Sequence, residues 1–345
     1  MMRHMETSKT RRGVLALTGA ALAGLVARPS TADAAQTAED YLTGNVEAFT
    51  GKVEDLERRF PEEASATLLP ELEATAQIGN ALVEEARRSL NPAHLMVLLH
   101  GVAVVHAMTA ERYMLRGDDG KAFTLYQTAI NCIDRADDRY HGQPDTKSVV
   151  YSMTAWAGMY AGRADVVRRA CNYAATASST GVGVSAGPAV MARFLARTGA
   201  AEMGVRMLER SVIPVVLSDN RAAHAPGVRN FGEARMYQYG AETYLYAGQW
   251  DDAITFATQA AQKYPWFNRV GRARAELTRA EALIHKGEVA EGAAVAHGTL
   301  VYLSDGFAEK LVTDKARGVL DAAQRRAPQL IEVTLLREVL VPPLV

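Results

Sequence analysis

Apolar residues recur at three- and four-residue intervals along most of the chain, the period of a helix that buries one face. Segments 38–60 and 68–89 carry this pattern near the start, and Pro92 suits the first turn of the helix that follows. Segments 314–326 and 329–340 carry it near the end. No stretch sustains the apolar–polar alternation of a half-buried strand. The pattern therefore predicts an all-α protein with essentially no sheet.

Five glycines each fall between two helical patterns, and alanine stands seven residues before every one of them. The glycines are Gly117, Gly162, Gly199, Gly248 and Gly287. The alanines are Ala110, Ala155, Ala192, Ala241 and Ala280. Two helices joined by a tight turn approach closely only where side chains are small, and glycine lets the chain leave the first helix in a left-handed conformation. The spacing predicts pairs of antiparallel helices.

Small side chains also follow each turn at fixed distances. Five residues after the glycines stand Ala122, Val167, Gly204, Ala253 and Gly292. Twelve residues after them stand Ala129, Ala174, Ser211, Ala260 and Thr299. We expect these positions to face the partner helix of each pair.

One copy, from residue 237 to Pro265, also has aromatic residues at fixed places. Tyr244 stands four residues before the turn Gly248, Trp250 two after it, and Pro265 closes the second helix. This unit resembles the tetratricopeptide consensus, and the other four keep only its small residues. The resemblance implies a right-handed superhelix of antiparallel helix pairs, with about five degenerate repeats and capping helices, in a single domain over residues 38–345.

The span from about residue 40 to 340 is similar to the carboxy-terminal sensor half of actinobacterial helix-turn-helix regulators of the XRE type. The stretches that carry the similarity are Leu115-Arg116-Gly117-Asp118 with Arg135-Ala136-Asp137-Asp138, Tyr244-Leu245-Tyr246-Ala247-Gly248, and Arg272-Ala273-Arg274-Ala275-Glu276-Leu277 with Lys286-Gly287-Glu288. The resemblance implies a half that receives a peptide or a small molecule. Residues 1–37 contain no helix-turn-helix pattern, so we expect no direct binding of nucleic acid.

Residues 1–37 instead have the layout of a signal peptide. Arg11-Arg12 precedes a mostly apolar run over 14–27, and Ala32-Asp33-Ala34 follows. This order resembles a twin-arginine export signal with cleavage after Ala34. The alternative is an uncleaved linker left from a larger parent, and the regulator resemblance favours this cytoplasmic reading. The run is too short and too rich in alanine and glycine for a stable membrane span.

In tetratricopeptide arrays the first helix of each pair lines a concave groove. Transferring that face to this sequence selects nine groove candidates. They are Glu111, Ser152, Trp156, Arg193, Arg235, Gln238, Glu242, Arg274 and Glu281. The arginines suit a carboxylate or phosphate, and Trp156 offers a flat apolar anchor. The alternative is structural: Arg235 with Glu242, and Arg274 with Glu281, recur at the same seven-residue separation, and these charges would pair between neighbouring helices.

Composition and motifs argue against several kinds of functional site. The formal charge is -1, which gives no overall positive field for phosphate backbones. Cys132 and Cys171 form no Cys-x-x-Cys pair, and His94, His100 and His106 cannot share one helix face at a spacing of six. We therefore expect no metal and no cofactor. The familiar catalytic signatures are absent, and no catalytic residue is assigned.

Three functions remain open. The leading one is a regulatory or scaffold protein that binds a peptide, protein segment or small metabolite in its groove, with a homodimer left open. The second is a binding protein exported by the twin-arginine route. The third is a biosynthetic enzyme on the regulator-derived scaffold, which predicts a closed pocket with perturbed ionisable groups rather than an open groove.

Overall fold

A computed structural model describes residues 31–88, 91–136, 145–177, 182–218, 231–303 and 306–340. The side chains of residues 31–39, 145, 175–177 and 182–184 are not among the described parts. The chain divides into two compact units, Met1–Asn45 and Val46–Val345. In the first unit, the described backbone from residue 31 onward is helical, and residues 1–30, which carry the signal-like pattern, lie outside the described residues.

The described residues form helices throughout and contain no strand, which confirms the predicted all-α class. In chain order the helices are α1 (Thr31–Arg59), α2 (Ser65–Ala86), α3 (Pro92–Leu115), α4 (Asp119–Ile133), α5 (Asp145–Tyr160), α6 (Ala164–Ala177), α7 (Val182–Arg197), α8 (Ala201–Met207), α9 (Ile213–Ser218), α10 (Glu233–Tyr246), α11 (Trp250–Lys263), α12 (Arg269–Lys286), α13 (Val289–Leu303), α14 (Lys310–Arg326) and α15 (Ile331–Leu340). A π-helical segment, Leu208–Val212, joins α8 to α9.

Polar side chains satisfy the free backbone N–H groups where several helices begin. The Asn91 side chain accepts a hydrogen bond from the Ala93 backbone N–H at the start of α3. Asp118 does the same for α4, and Asn268 for α12. Residues close in sequence thus determine where these helices start.

The five predicted turn glycines all have the left-handed backbone conformation. Their φ angles run from 69° at Gly162 to 110° at Gly287. Side chains other than glycine rarely adopt such angles. The turns therefore end α3, α5, α7, α10 and α12, and each following helix packs on the one before it.

The small residues face each other where paired helices touch. The five alanines that precede the turns are fully buried. A Cβ atom added to Gly204 would lie 2.4 Å from the Ala192 carbonyl oxygen, and one added to Gly292 would lie 2.6 Å from that of Ala280. The glycine five residues after each of these turns thus contacts the backbone of the alanine seven residues before the turn. This contact explains why small residues recur at these two distances from the turn.

Ser211 departs from the expected burial of small residues twelve positions after each turn. It is exposed, whereas Leu208 and Val212 on either side of it are fully buried. The segment Leu208–Val212 is π-helical, and its wider turn rotates the side chains that follow relative to an α-helix. Val212 therefore occupies the buried place that the sequence pattern assigned to Ser211.

Within Val46–Val345, the connection between α13 and α14 contacts the amino-terminal helices. The Ser65 backbone N–H, at the start of α2, donates to Glu309 Oε1 over 3.1 Å. The Lys310 side chain lies against Gly117, where an added Cβ would meet it. These contacts bring Phe307, in the same connection, next to residues of the early helices.

Helix α3 is long and apolar enough to cross a membrane, the one such helix among the described residues. Two-thirds of its most apolar window is buried in the protein. A helix that is apolar on all sides is also what the interior of a helical array requires.

Candidate functional site

A cavity of about 560 Å³ lies among the first helices of the five pairs, and its size is in the range of small-molecule sites. Its wall includes residues of α3, α5, α7, α10 and α12, and of the connections before α2, α10, α12 and α14. Each helix contributes residues that recur every three or four positions. On α10, for example, Arg235, Gln238 and Tyr239 share the inward face.

Six of the nine groove candidates line this cavity. They are Glu111, Ser152, Trp156, Arg235, Gln238 and Arg274. The other three, Arg193, Glu242 and Glu281, are not part of its wall. Arg193 and Glu242 are buried, and Glu281 pairs with Lys315 at 3.5 Å.

Four buried polar atoms in the described part of the wall have no hydrogen-bond partner. They are Arg112 Nε, Ser152 Oγ, Trp156 Nε1 and Gln238 Nε2. Their residues are between 2% and 6% exposed, so bulk water does not compensate for the missing partners. Leaving such atoms unpaired costs roughly 1–3 kcal/mol each.

Gln238 and Trp156 are held in place by their neighbours. The Tyr264 hydroxyl donates to Gln238 Oε1, which leaves the Gln238 NH₂ group directed elsewhere. The Trp156 ring meets the edge of Tyr160 at 5.2 Å between ring centres. The Arg274 guanidinium lies 5.5 Å from the centre of the Trp156 ring. The polar atoms are thus presented by side chains that are already packed.

Next to the wall lies a buried ionic cluster. Arg193 pairs with Glu242, and Arg274 Nη2 lies 3.7 Å from Glu242 Oε1. The Tyr160 hydroxyl accepts from Arg193 Nη2 at 2.6 Å and from Arg274 Nη2 at 3.4 Å. Two guanidinium groups therefore share one carboxylate, and Arg274 is the member that reaches the cavity.

The arginines of this cluster lower the pKa values of the acidic groups beside them. Burial alone would raise the pKa of Glu242, but Arg193, Lys315 and Arg274 outweigh it and lower that pKa. Burial would also raise the pKa of Tyr160, and the same two arginines lower it instead. Glu242 is consequently ionised at neutral pH and is a structural anion rather than a proton acceptor.

The structural alternative expected ion pairs between neighbouring helices. Glu242 on α10 pairs with Arg193 on α7 and with Arg274 on α12, and Glu281 on α12 pairs with Lys315 on α14. These carboxylates therefore do pair between helices, although Arg193 and Lys315 are partners that the seven-residue separation did not indicate.

The sequence missed several residues of the wall. Arg112 lies 4.0 Å over the Phe60 ring and donates to the Phe60 carbonyl oxygen. Phe307 enters from the connection before α14. Neither Phe60 nor Phe307 belongs to the first helix of a pair, so the repeat register could not select them. Tyr239 could have been found, since it follows Gln238 on the same helix face.

The mouth of the cavity carries paired surface charges. Lys263 Nζ lies 2.7 Å from Glu233 Oε2. Glu63 pairs with Arg59 at 2.6 Å, and Glu62 is exposed. These carboxylates are satisfied by cations or by water, which leaves Glu111 as the remaining carboxylate of the described wall.

Histidine and cysteine lie elsewhere. Burial lowers the pKa of His106 to about 4, and it raises the pKa of the Cys171 thiol to about 12. Over the part of the chain that the structure describes, no three His, Cys, Asp or Glu side chains are grouped to hold a metal ion.

Comparison with known proteins gives no relative: no family model, no curated protein and no solved structure matches the chain.

Proposed function

We propose that this chain is a tetratricopeptide-like helical-repeat protein that holds a small organic molecule in the cavity between the first helices of its pairs. The left-handed glycine turns and the buried alanines support the repeat architecture, a right-handed superhelix of antiparallel pairs. The cavity supports the binding role.

The unpaired polar atoms of the wall carry the proposal. Buried polar groups in folded proteins nearly always have a hydrogen-bond partner. Here Ser152 Oγ, Trp156 Nε1 and Gln238 Nε2 lack one and lie around the same cavity. A bound molecule that supplies those partners removes the cost of burying them.

A small molecule suits the cavity better than an extended peptide. Peptide-binding arrays use an elongated concave surface. In this protein Phe307, two residues before the Glu309 side chain that accepts from Ser65, also lines the space between the helices that such a surface would use. The resulting space of about 560 Å³ matches a single drug-sized ligand.

The construction of the wall supports the regulatory part of this proposal. A ligand that contacts Trp156, Gln238 and Arg274 touches α5, α10 and α12 together, and these helices belong to three different pairs. A bound ligand would link these three helix pairs and reduce their relative motion. Such a reduction can alter binding at a distant surface. The similarity to regulator sensor halves agrees with this role.

An enzyme on the same scaffold is the second candidate, because the site is an interior cavity with perturbed ionisable groups beside it. The perturbations keep Glu242 and the arginines charged, however, so none of them exchanges a proton near neutral pH. Glu111 would be the acid or base. Turnover that is lost in Glu111→Gln while ligand affinity is kept would support the enzyme over the receptor.

The test is capture of a ligand from a metabolite extract of the source cell, read by native mass spectrometry. Wild-type protein is expected to retain a discrete added mass. Ala186→Phe fills the cavity from α7 and is expected to lose that mass, and Ser152→Leu fills it from α5. Ala294→Phe, the same change at an exposed site, is the matched control.

Thermal unfolding of each variant first shows that it folds. Equal retention by wild type and by both filled variants would place the ligand outside the cavity and contradict the proposal. No retained mass from any extract would contradict it as well.

A further inference from the structure

The unpaired atoms of the cavity wall share one polarity. An indole N–H, an arginine Nε–H and an amide NH₂ group can only donate hydrogen bonds. Trp156 Nε1, Arg112 Nε and Gln238 Nε2 are therefore three donors without acceptors, and the Ser152 hydroxyl can serve either way. No carboxylate or amide oxygen of the described wall is both buried and unpaired. The missing partner is thus rich in acceptors.

The charges beside the cavity also favour a ligand that accepts hydrogen bonds, because they include an excess cation. Arg193 and Arg274 share the single carboxylate of Glu242, so this buried cluster has one positive charge in excess. A buried charge is expensive unless an opposite charge accompanies it. Arg274 reaches the wall and would meet an anion there. A ligand with a negative group at the wall would balance the excess positive charge of this cluster.

The rest of the wall is largely apolar and includes several aromatic rings. Trp156, Phe231, Tyr239 and Tyr264 contribute these rings, from α5, the connection before α10, α10 itself and the connection after α11. Aromatic rings favour flat partners through offset stacking and edge contacts. The body of the ligand is accordingly flat and unsaturated, and only its polar edge meets the donors.

Resting on the proposed ligand-binding function, we propose that the cavity takes a planar aromatic carboxylate whose other polar atoms are acceptors. The carboxylate meets Arg274, and the carbonyl-type oxygens of the ring system meet Trp156 Nε1 and Gln238 Nε2. Molecules that present an ammonium group to these positions are excluded, because an ammonium group only donates and would face donors.

Three ring-matched probes test this assignment by isothermal titration calorimetry on the full chain. They are anthraquinone-2-carboxylate, neutral anthraquinone and 2-(aminomethyl)anthraquinone. All three have the same flat body and the same two ring carbonyl oxygens. The carboxylate is expected to bind at least about tenfold more tightly than the amine, with the neutral compound between them.

Two substitutions each remove one of the donors. Trp156→Phe keeps an aromatic ring but lacks the N–H, and Gln238→Met keeps the chain length but lacks the NH₂ group and also the Oε1 atom that accepts from Tyr264. Each is expected to weaken the carboxylate probe by about tenfold. Trp266→Phe, at a tryptophan that is 70% exposed, is the control and should leave the affinity unchanged.

The variant Arg274→Gln tests how much the positive charge of Arg274 contributes to binding of the carboxylate probe. It is expected to reduce the preference for the carboxylate over the amine to about threefold or less, and this ratio of affinities, rather than the affinity of any one probe, reports the charge. Thermal unfolding in the absence of probe shows whether each variant is folded.

The outcomes separate this proposal from the one on which it rests. Equal binding of the three probes, lost in Ala186→Phe, would overturn the ligand class and leave the cavity as the site. Binding that Ala186→Phe does not change would overturn both. Failure of the carboxylate to bind would overturn the ligand class, while the extract experiment decides the binding function separately.

Discussion

The guanidinium of Arg274 lies 5.5 Å from the centre of the Trp156 ring, so a cation on α12 covers an aromatic face on α5. The two helices belong to different pairs, and both residues line the cavity. Packing between pairs therefore builds the site. Changes that loosen this packing should alter ligand binding as well as stability.

The ionic cluster beside the cavity gives the first prediction. Glu242→Gln leaves Arg193, whose side chain is 2% exposed, without its counter-charge. We expect the free energy of unfolding in urea to fall by about 3–5 kcal/mol. The double variant Arg193→Met, Glu242→Leu removes both charges and should recover most of the loss.

An exposed ion pair is the control for this prediction. Glu202 pairs with Arg206 at 3.4 Å, and its side chain is 89% exposed. Glu202→Gln should change the unfolding free energy by less than about 0.5 kcal/mol. If Glu242→Gln cost no more than this control, the cluster would not be buried as described.

Two glycines on α13 give a matched pair for the packing argument. A Cβ at Gly292 would lie 2.6 Å from the Ala280 carbonyl oxygen, whereas one at Gly298 would meet nothing within 4 Å. We expect Gly292→Ala to destabilise the protein by about 1–3 kcal/mol. Gly298→Ala should stabilise it by about 0.5–1 kcal/mol, since alanine favours the helix. Chemical denaturation measures both, and a stabilising Gly292→Ala would contradict the close helix approach.

The third prediction concerns pH. Burial lowers the pKa of His106 from 6.5 to about 4 in the folded protein. Between these values the unfolded state binds a proton that the folded state does not, so stability falls as the pH drops from about 6.5 towards 4. The full contribution is roughly 3 kcal/mol.

Substitution separates this contribution from other groups that titrate in acid. Unfolding free energies of His106→Gln should depend less steeply on pH over that interval than those of the wild type. His297→Gln, at a partly exposed position on α13, is the control and should keep the wild-type slope. Parallel curves for wild type and His106→Gln would show that His106 is not the group responsible.

The sequence predicted the features that depend on local geometry. The glycine at each turn follows from the left-handed conformation that ends a helix, and the alanine seven residues earlier follows from helix contact. The positions of this glycine and this alanine depend only on residues close to each other in one helix pair. The groove face of each first helix was taken from the tetratricopeptide resemblance, and six of its nine residues, among them Trp156, Gln238 and Arg274, line the cavity.

The parts that the sequence did not predict depend on distant contacts or on irregular backbone. Phe60 and Phe307 reach the cavity from connections outside the repeat register. Glu242 pairs with Arg193 and Glu281 with Lys315, because the packing of one helix on another decides which charges meet. Ser211 is exposed because the π-helical segment Leu208–Val212 shifts which residues face the neighbouring helix. No pattern in the sequence predicted that segment.

The most direct measurement is a crystal structure of the protein purified from its source cell. The proposed function predicts density for one organic molecule in the cavity, with acceptor atoms within hydrogen-bond distance of Trp156 Nε1 and Gln238 Nε2. A cavity that holds only ordered water bonded to those two atoms, or one that its own side chains have filled, would contradict ligand binding there.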